Sequence, residues 1–217
     1  MNKIFTIGHS IDSLDSFIYL LESNKINTLV DIRSIPYSSF ANQFNKERLS
    51  AFIKKNKLNY ISMGELLGAR YENKELLFED GKVNFSKVIN TQQFQEGIER
   101  IENGIKKGYQ IALMCSEKNP LQCHRFSLIS HFLDQQGYIV NHIIDKNLFS
   151  HKLLENNLLC YYHNRRKLSF DINKINQPHP IQHTLFNNDK PDQTNLYFRL
   201  NRLVAYNSNA KQMEAAI

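Results

Sequence analysis

A chain of 217 residues with 41% hydrophobic side chains has the length and apolar content for an α/β domain plus an extension, which excludes global disorder. Its cysteines, Cys115, Cys123 and Cys160, are odd in number and lack framework spacing, so they read as free thiols or metal ligands in a reducing compartment rather than as structural disulfides. The net charge of +6 suits phosphate-bearing partners such as DNA or a nucleotide, although dispersed lysines on a solvated surface give the same balance.

No leader-like start and no apolar run approaching the ~20 residues of a membrane helix is visible, so the expectation is a cytoplasmic protein without a membrane partner. The chain opens on a short apolar run, Lys3 to Ile7, stopped by Gly8-His9-Ser10. Leu14, Phe17, Ile18 and Leu21 then recur on one helical face behind a cap at Asp12 or Ser13. Thr28 to Arg33 reads as a strand ended by Pro36; Leu49, Phe52 and Ile53 mark a helix to about Asn56, and residues 59–63 a third strand. Residues 64–84 read as irregular, and 86–106 as one long helix with Val88, Phe94, Ile98, Ile101 and Ile105 on its apolar side.

Ile111 to Cys115 is the clearest buried strand. After it, Asn119 as cap, Pro120 at the first position and Gln122 three residues on predict a helix running to about Gln136, with Gly137 as its stop. Residues 138–144 form the last strand of the series. This alternation predicts a Rossmann-like α/β fold over 1–150, a mostly parallel sheet with helices on both faces. Residues 151–217 read as a basic, loop-rich C-terminal extension that wraps the domain or stays mobile and ends in a short helix near 196–206.

Unusual polar residues gather where strands end. His9 and Ser10 follow the first, Asp31 and Arg33 the second, and Ser116 and Glu117 the fourth, with Cys123, His124 and Arg125 in the next helix. In an open parallel sheet these positions share the edge where ligands bind. Asp31 and Glu117 are the candidate catalytic carboxylates. His9, Ser10, Arg33, Arg70, Cys123, His124 and Arg125 are the candidate substrate-binding residues. Projected as a helix from Asn119, Arg125 points inward and His124 to another side. A guanidinium near a helix start calls for a compensating anion: Asp31, Glu117 or a bound phosphate. Each of these residues also has a structural reading, such as a loop-capping Asp31 or a satisfied buried His9.

Cys115 and Cys123 allow nucleophilic chemistry, but position 121, six after Cys115, is Leu121 rather than the arginine of a phosphatase-type loop. A zinc site from Cys115, Cys123 and His124 lacks a fourth ligand in this reading and matches no finger or ribbon spacing, so no metal is assigned and no cofactor is identified. Buried apolar packing is the simplest account of Cys115.

Thr6-Ile7-Gly8-His9-Ser10, Val30-Asp31-Ile32-Arg33-Ser34-Ile35-Pro36, Leu67-Gly68-Ala69-Arg70, Met114-Cys115-Ser116-Glu117 and Cys123-His124-Arg125 occur in this order. Together they resemble the bacterial proteins grouped as domain of unknown function 488, over roughly residues 3–145. The matching positions are His9, Ser10, Asp31, Arg33, Pro36, Ser38, Phe44, Gly68, Arg70, Cys115, Glu117, Cys123, His124 and Arg125. Ala69 stands where the family often has a second glycine. The resemblance supports the domain and the site positions and brings no established reaction.

In the extension, Gln182-His183-Thr184-Leu185-Phe186 is similar to the bacterial sliding-clamp-binding peptide, with Gln182, Leu185 and Phe186 as its partner-binding residues. Leu185 and Phe186 have a second reading as an apolar staple onto the domain. Three functions follow: an enzyme acting on a nucleotide or nucleic acid, linked to DNA repair or replication; a non-catalytic module binding a nucleotide-like ligand or partner; and a thiol-dependent enzyme.

Overall fold

The computed structural model describes residues 2–165, 172 and 192–208. Strand β1 (Lys3–Gly8) leads through α1 (Leu14–Ser23) to β2 (Thr28–Asp31), and α2 (Lys46–Lys55) leads to β3 (Asn59–Ser62). Short α3 (Gly64–Leu67) and α4 (Phe85–Val88) precede α5 (Gln92–Lys106) and β4 (Ile111–Cys115). A 3-10 turn (Pro120–Gln122), a π-helix (Arg125–Ser130) and α6 (His131–Gln135) follow, then β5 (Ile139–Ile144), β6 (Asn147–Ser150), α7 (His151–Arg165) and α8 (Gln193–Val204).

The strands form a six-stranded sheet in the order β3-β2-β4-β1-β5-β6, parallel except for β6 at the edge. In the dinucleotide-binding arrangement the first and second strands are neighbours; here β4 lies between them. Alternation of side chains sorts the core into two layers. Phe5, Ile7, Leu29, Ala112, Met114 and Ile143 face α1 and α2. Ile4, Val30, Leu113, Cys115 and Val140 face the layer that holds Leu67, Phe94, Ile98, Ile101 and Ile129. The loops leaving β1 and β2 therefore turn to one face and the loop leaving β4 to the other, which opens a crevice beside the end of β4.

Several local signals act as expected. Ser13 caps α1, its Oγ accepting from the Ser16 N–H, and Gly137 ends α6 with φ 85°. The expected helix over 86–106 is two elements. Thr91 takes an extended conformation and its Oγ1 accepts from the Phe94 N–H, so a polar cap starts α5 afresh. The expected helix over 119–136 is also broken. Asn119 does cap, accepting from the Leu121 N–H, but Cys123 is extended (φ −140°, ψ 146°) and a π-helix follows it. Short helices also occupy part of the stretch read as irregular, and β6 follows the strand read as last.

Helix α7 was not anticipated, because its buried residues include Glu155 and Asn157 and its apolar positions form no single stripe. It packs with α8 through Leu154, Leu158, Leu196 and Leu200 against Phe126 and Ile144. A buried polar relay fixes the same contact. Tyr197 donates to Glu155 Oε1 at 2.8 Å, so His151 Nε2 must donate to Tyr197 (2.9 Å) and its Nδ1 must accept from His142 Nε2 (3.1 Å). His142 Nδ1 then accepts from Thr6 Oγ1 at 2.7 Å. Asn201 completes the attachment: its amide accepts from the Phe85 N–H (2.9 Å) and donates to the Val83 carbonyl (2.8 Å). Gln182, Leu185 and Phe186 lie outside the described residues. Among the described residues no helix is long and apolar enough to cross a membrane.

Candidate functional site at the carboxyl edge

The ends of β2, β4 and β1 are neighbours, so the polar residues that follow them meet. Closeness of the loops depends on Gly8, where a Cβ would lie 1.8 Å from the Glu117 carbonyl oxygen. Pairing continues past the strands, with the His9 N–H donating to the Cys115 carbonyl (3.2 Å) and the Ser10 N–H to the Ser116 carbonyl (2.8 Å).

Strand parity separates the residues into two groups. Asp31 continues the Leu29 side of β2, toward α2, while Cys115 continues the Leu113 side of β4. On the first side Asp31 is fully buried and accepts from Arg33 Nε (2.8 Å), Arg33 Nη2 (2.6 Å), the Arg33 backbone N–H (3.1 Å) and the Tyr60 hydroxyl (2.7 Å). Its lone pairs are thereby taken. Arg33 Nη2 also donates to the Phe44 carbonyl (2.9 Å), and Nη1 donates to His9 Nε2 (3.0 Å). Because Nε2 accepts, His9 carries its proton on Nδ1, which donates to the Ser10 carbonyl (2.7 Å). The ring stacks on Phe44 with centroids 4.2 Å apart. Burial, reinforced by the Arg33 charge, lowers His9 to about 4, so it is neutral. Burial opposes the Arg33 charge, but the Asp31 hydrogen bonds outweigh it and raise its pKa; burial and Asp31 push the Tyr60 hydroxyl up.

On the other side Cys115, Cys123 and His124 converge, all buried. His124 Nδ1 lies 3.9 Å from Cys115 Sγ and 3.7 Å from Cys123 Sγ, and Cys115 donates to Glu117 Oε2 at 3.1 Å. The neighbouring Cys123 sulfur and burial raise the Cys115 thiol. Burial works against the Cys123 thiolate, but Cys115, His124 and Arg125 together hold it well below the usual range. Burial likewise opposes the His124 charge, which Cys123 restores and raises. Glu117 reaches solvent at its outer edge, yet the surrounding protein and Cys123 push its carboxyl up.

Arg125 is fully buried and reaches neither Asp31 nor the Glu117 carboxylate. It donates instead to the backbone carbonyls of Glu117 and, at 2.8 Å, Lys118, and so holds the loop after β4. Because the chain is extended at Cys123, a projection from Asn119 does not carry through to His124, which turns toward the thiols rather than away from the site.

The crevice itself is a cleft of about 250 Å³ bordered by Arg33, Arg70, Cys115, Glu117, His124 and Tyr206. An adjoining hollow of about 410 Å³ shares Ser34, Arg70 and Tyr206 with it. The exposed Arg70 guanidinium lies 4.7 Å from the centroid of the Tyr206 ring. His9, Ser10, Cys123 and Arg125 do not border the cleft; they support the residues that do. Tyr60 and Tyr206 were not singled out in the sequence, since a tyrosine in a strand and one beyond a distant helix carry no local signal of meeting this edge.

The arrangement defines an α/β protein whose polar residues meet in a cleft at the carboxyl edge of a mostly parallel sheet. The model of the family described as domain of unknown function DUF488 matches residues 13–132, and the chain belongs to that family. His9 and Ser10 fall just before the matched segment. No curated protein and no solved structure matches the chain.

Proposed function

We propose that the protein is an enzyme acting on a nucleotide or an exposed nucleic-acid backbone, with a phosphate of the substrate held beside the end of β4. The observation that carries this reading is that Arg33, Arg70 and Glu117 border one cleft. Its volume of about 250 Å³ is below the ~300 Å³ at which small-molecule pockets begin, so it suits a phosphate group, with the rest of the ligand along the adjoining hollow. Arg33 is oriented before any ligand arrives by Asp31 and the Phe44 carbonyl, which lowers the entropic cost of gripping an anion.

In this reading Asp31, with its lone pairs occupied, positions Arg33, and His9 positions the same guanidinium from the other side. Arg125 and Ser10 fix the loop that carries Glu117, and Glu117 is the carboxyl left to activate water. The Gln182–Phe186 segment is the route by which a sliding clamp would bring the protein to DNA under replication or repair.

Binding of a labelled single-stranded oligonucleotide and of mononucleotides across a salt series tests this. A steep fall with salt is expected, together with loss of binding in Arg70→Ala at unchanged thermal stability. Absent or salt-independent binding of both ligand types overturns it. The occupied state of Asp31 favours a second reading, a binding module without turnover. Glu117→Gln separates the two, because an enzyme loses hydrolysis in that variant while a module has none to lose.

A further inference from the structure

We propose that Cys115, Cys123 and His124 form a binding site for a zinc-class divalent cation, with a fourth coordination position open to the cleft. The proposal goes beyond the reading above and does not depend on which ligand the cleft takes. The three ligand atoms, Sγ of each cysteine and a ring nitrogen of His124, all lie within 4.8 Å of one another. With Zn–S near 2.3 Å and Zn–N near 2.0–2.1 Å, a tetrahedral centre separates sulfur and nitrogen ligands by about 3.6 Å. The two S···Nδ1 separations are 3.7 and 3.9 Å. They are long for good hydrogen bonds and close to what an ion between the groups requires.

Donor chemistry selects the cation. Two sulfurs and an imidazole suit zinc, whereas oxygen-seeking magnesium and calcium take carboxylates and carbonyls. The backbone supports the tripod: extended Cys123 brings its sulfur back over β4, the Arg125 N–H donates to Cys123 Sγ at 3.4 Å, and the Arg125 side chain holds the 117–118 loop. Cys115 and His124 border the cleft while Cys123 does not, so the unfilled position faces the cleft side. Three protein ligands with one open position is the pattern of catalytic rather than structural zinc. The Glu117 oxygen, 3.1 Å from Cys115 Sγ, accepts a hydrogen bond from the thiol in the metal-free state; on binding, two protons leave to solvent, one from the Cys115 thiol and one from the Cys123–His124 pair, so that both sulfurs coordinate as thiolates and the imidazole as a neutral ring.

A second group, His131, His151 and Glu155, has similar spacing. It is a poor competitor, because both nitrogens of His151 are already used, on His142 and Tyr197.

The test uses the full-length protein, kept reduced, stripped with a chelator and titrated with Co²⁺. A single equivalent per chain is expected, with a thiolate-to-cobalt charge-transfer band and the strong visible absorption of tetrahedral coordination, both removed by Zn²⁺. In parallel, alkylation of the wild-type protein is mapped by mass spectrometry. Zinc is expected to shield Cys115 and Cys123 and to leave labelling of Cys160 unchanged, a measurement that needs no variant to fold. Cys123→Ser is expected to lose the tight cobalt complex, and Arg70→Ala to keep it, which separates a failure of this site from a failure of anion binding. Weak octahedral absorption without charge transfer, or equal labelling of Cys115 and Cys123 with and without zinc, overturns the proposal.

Discussion

The Arg33 guanidinium lies edge-on against the Asp31 carboxylate, Nε to Oδ1 at 2.8 Å and Nη2 to Oδ2 at 2.6 Å, with both side chains almost wholly out of water. A pair in this position is costly to break from one side, since the surviving partner is left as an uncompensated buried charge. Asp31→Asn is therefore expected to destabilise the protein by about 3–5 kcal/mol in urea denaturation. Tyr60→Phe removes only a single hydrogen bond to the same carboxylate and should cost about 1–3 kcal/mol, as befits a bond to a charged group. A smaller loss for Asp31→Asn than for Tyr60→Phe would show that the carboxylate does not hold Arg33.

Gly8→Ala probes the junction of the strand ends. The new methyl would sit 1.8 Å from the Glu117 carbonyl oxygen, a backbone atom with no rotamer to escape by. Overpacking of this kind costs at least ~1–3 kcal/mol. Displacement of the loop should also weaken ligand binding in the cleft. Unchanged melting and binding would mean that the loop moves freely away from β1.

Acid is expected to destabilise the fold through buried histidines. Burial lowers His151 to about 3, with Asp134 opposing and His131 and Lys152 assisting, and lowers His9 to about 4. Burial also holds His142, next to His151, well below its ordinary value. A histidine neutral in the folded state and protonated in the unfolded chain contributes stability that is complete above its unfolded pKa of 6.5 and is lost as pH falls toward its folded pKa. Each such group has a slope of at most ~1.4 kcal/mol per pH unit, and His142 and His151 titrate as a hydrogen-bonded unit. Denaturant midpoints should fall between about pH 6.5 and about pH 4. Tyr197→Phe leaves the His151 Nε2 donor without its acceptor and should cost about 1–3 kcal/mol at neutral pH. A flat pH profile would argue against neutral, buried imidazoles.

Asn201→Ala tests whether the C-terminal helix shapes the cleft. Removing the amide strands the Phe85 N–H and the Val83 carbonyl, for an expected cost of about 1–3 kcal/mol for each group left unpaired. Because Tyr206 lies just beyond α8 and supports Arg70, anion binding should weaken in this variant even at temperatures where the protein remains folded. Binding equal to wild type under those conditions would separate α8 from the site.

Much of the secondary structure is local and was legible for that reason. Ser13, Asn119 and Gly137 act on backbone groups within a few residues, and strand alternation depends only on neighbouring side chains. The breaks at Thr91 and Cys123 were missed because apolar spacing continues through them and masks the interruption. Helix α7 was missed because Glu155 is buried by its bonds to Tyr197 and Gln193, partners some forty positions away.

For the site, the sequence alone determined which polar residues stand at strand ends, and hence that they share an edge. Tertiary structure decided how they sort. Insertion of β4 between β2 and β1 brought the three loops together, and parity put Asp31 and Cys115 on opposite faces. The same packing turned Arg125 onto backbone carbonyls, gathered the thiols with His124, and brought Tyr206 to Arg70. Strand order and side-chain partnership are set by contacts between distant segments, whose free energy depends on the whole core, so no window of the sequence contains them.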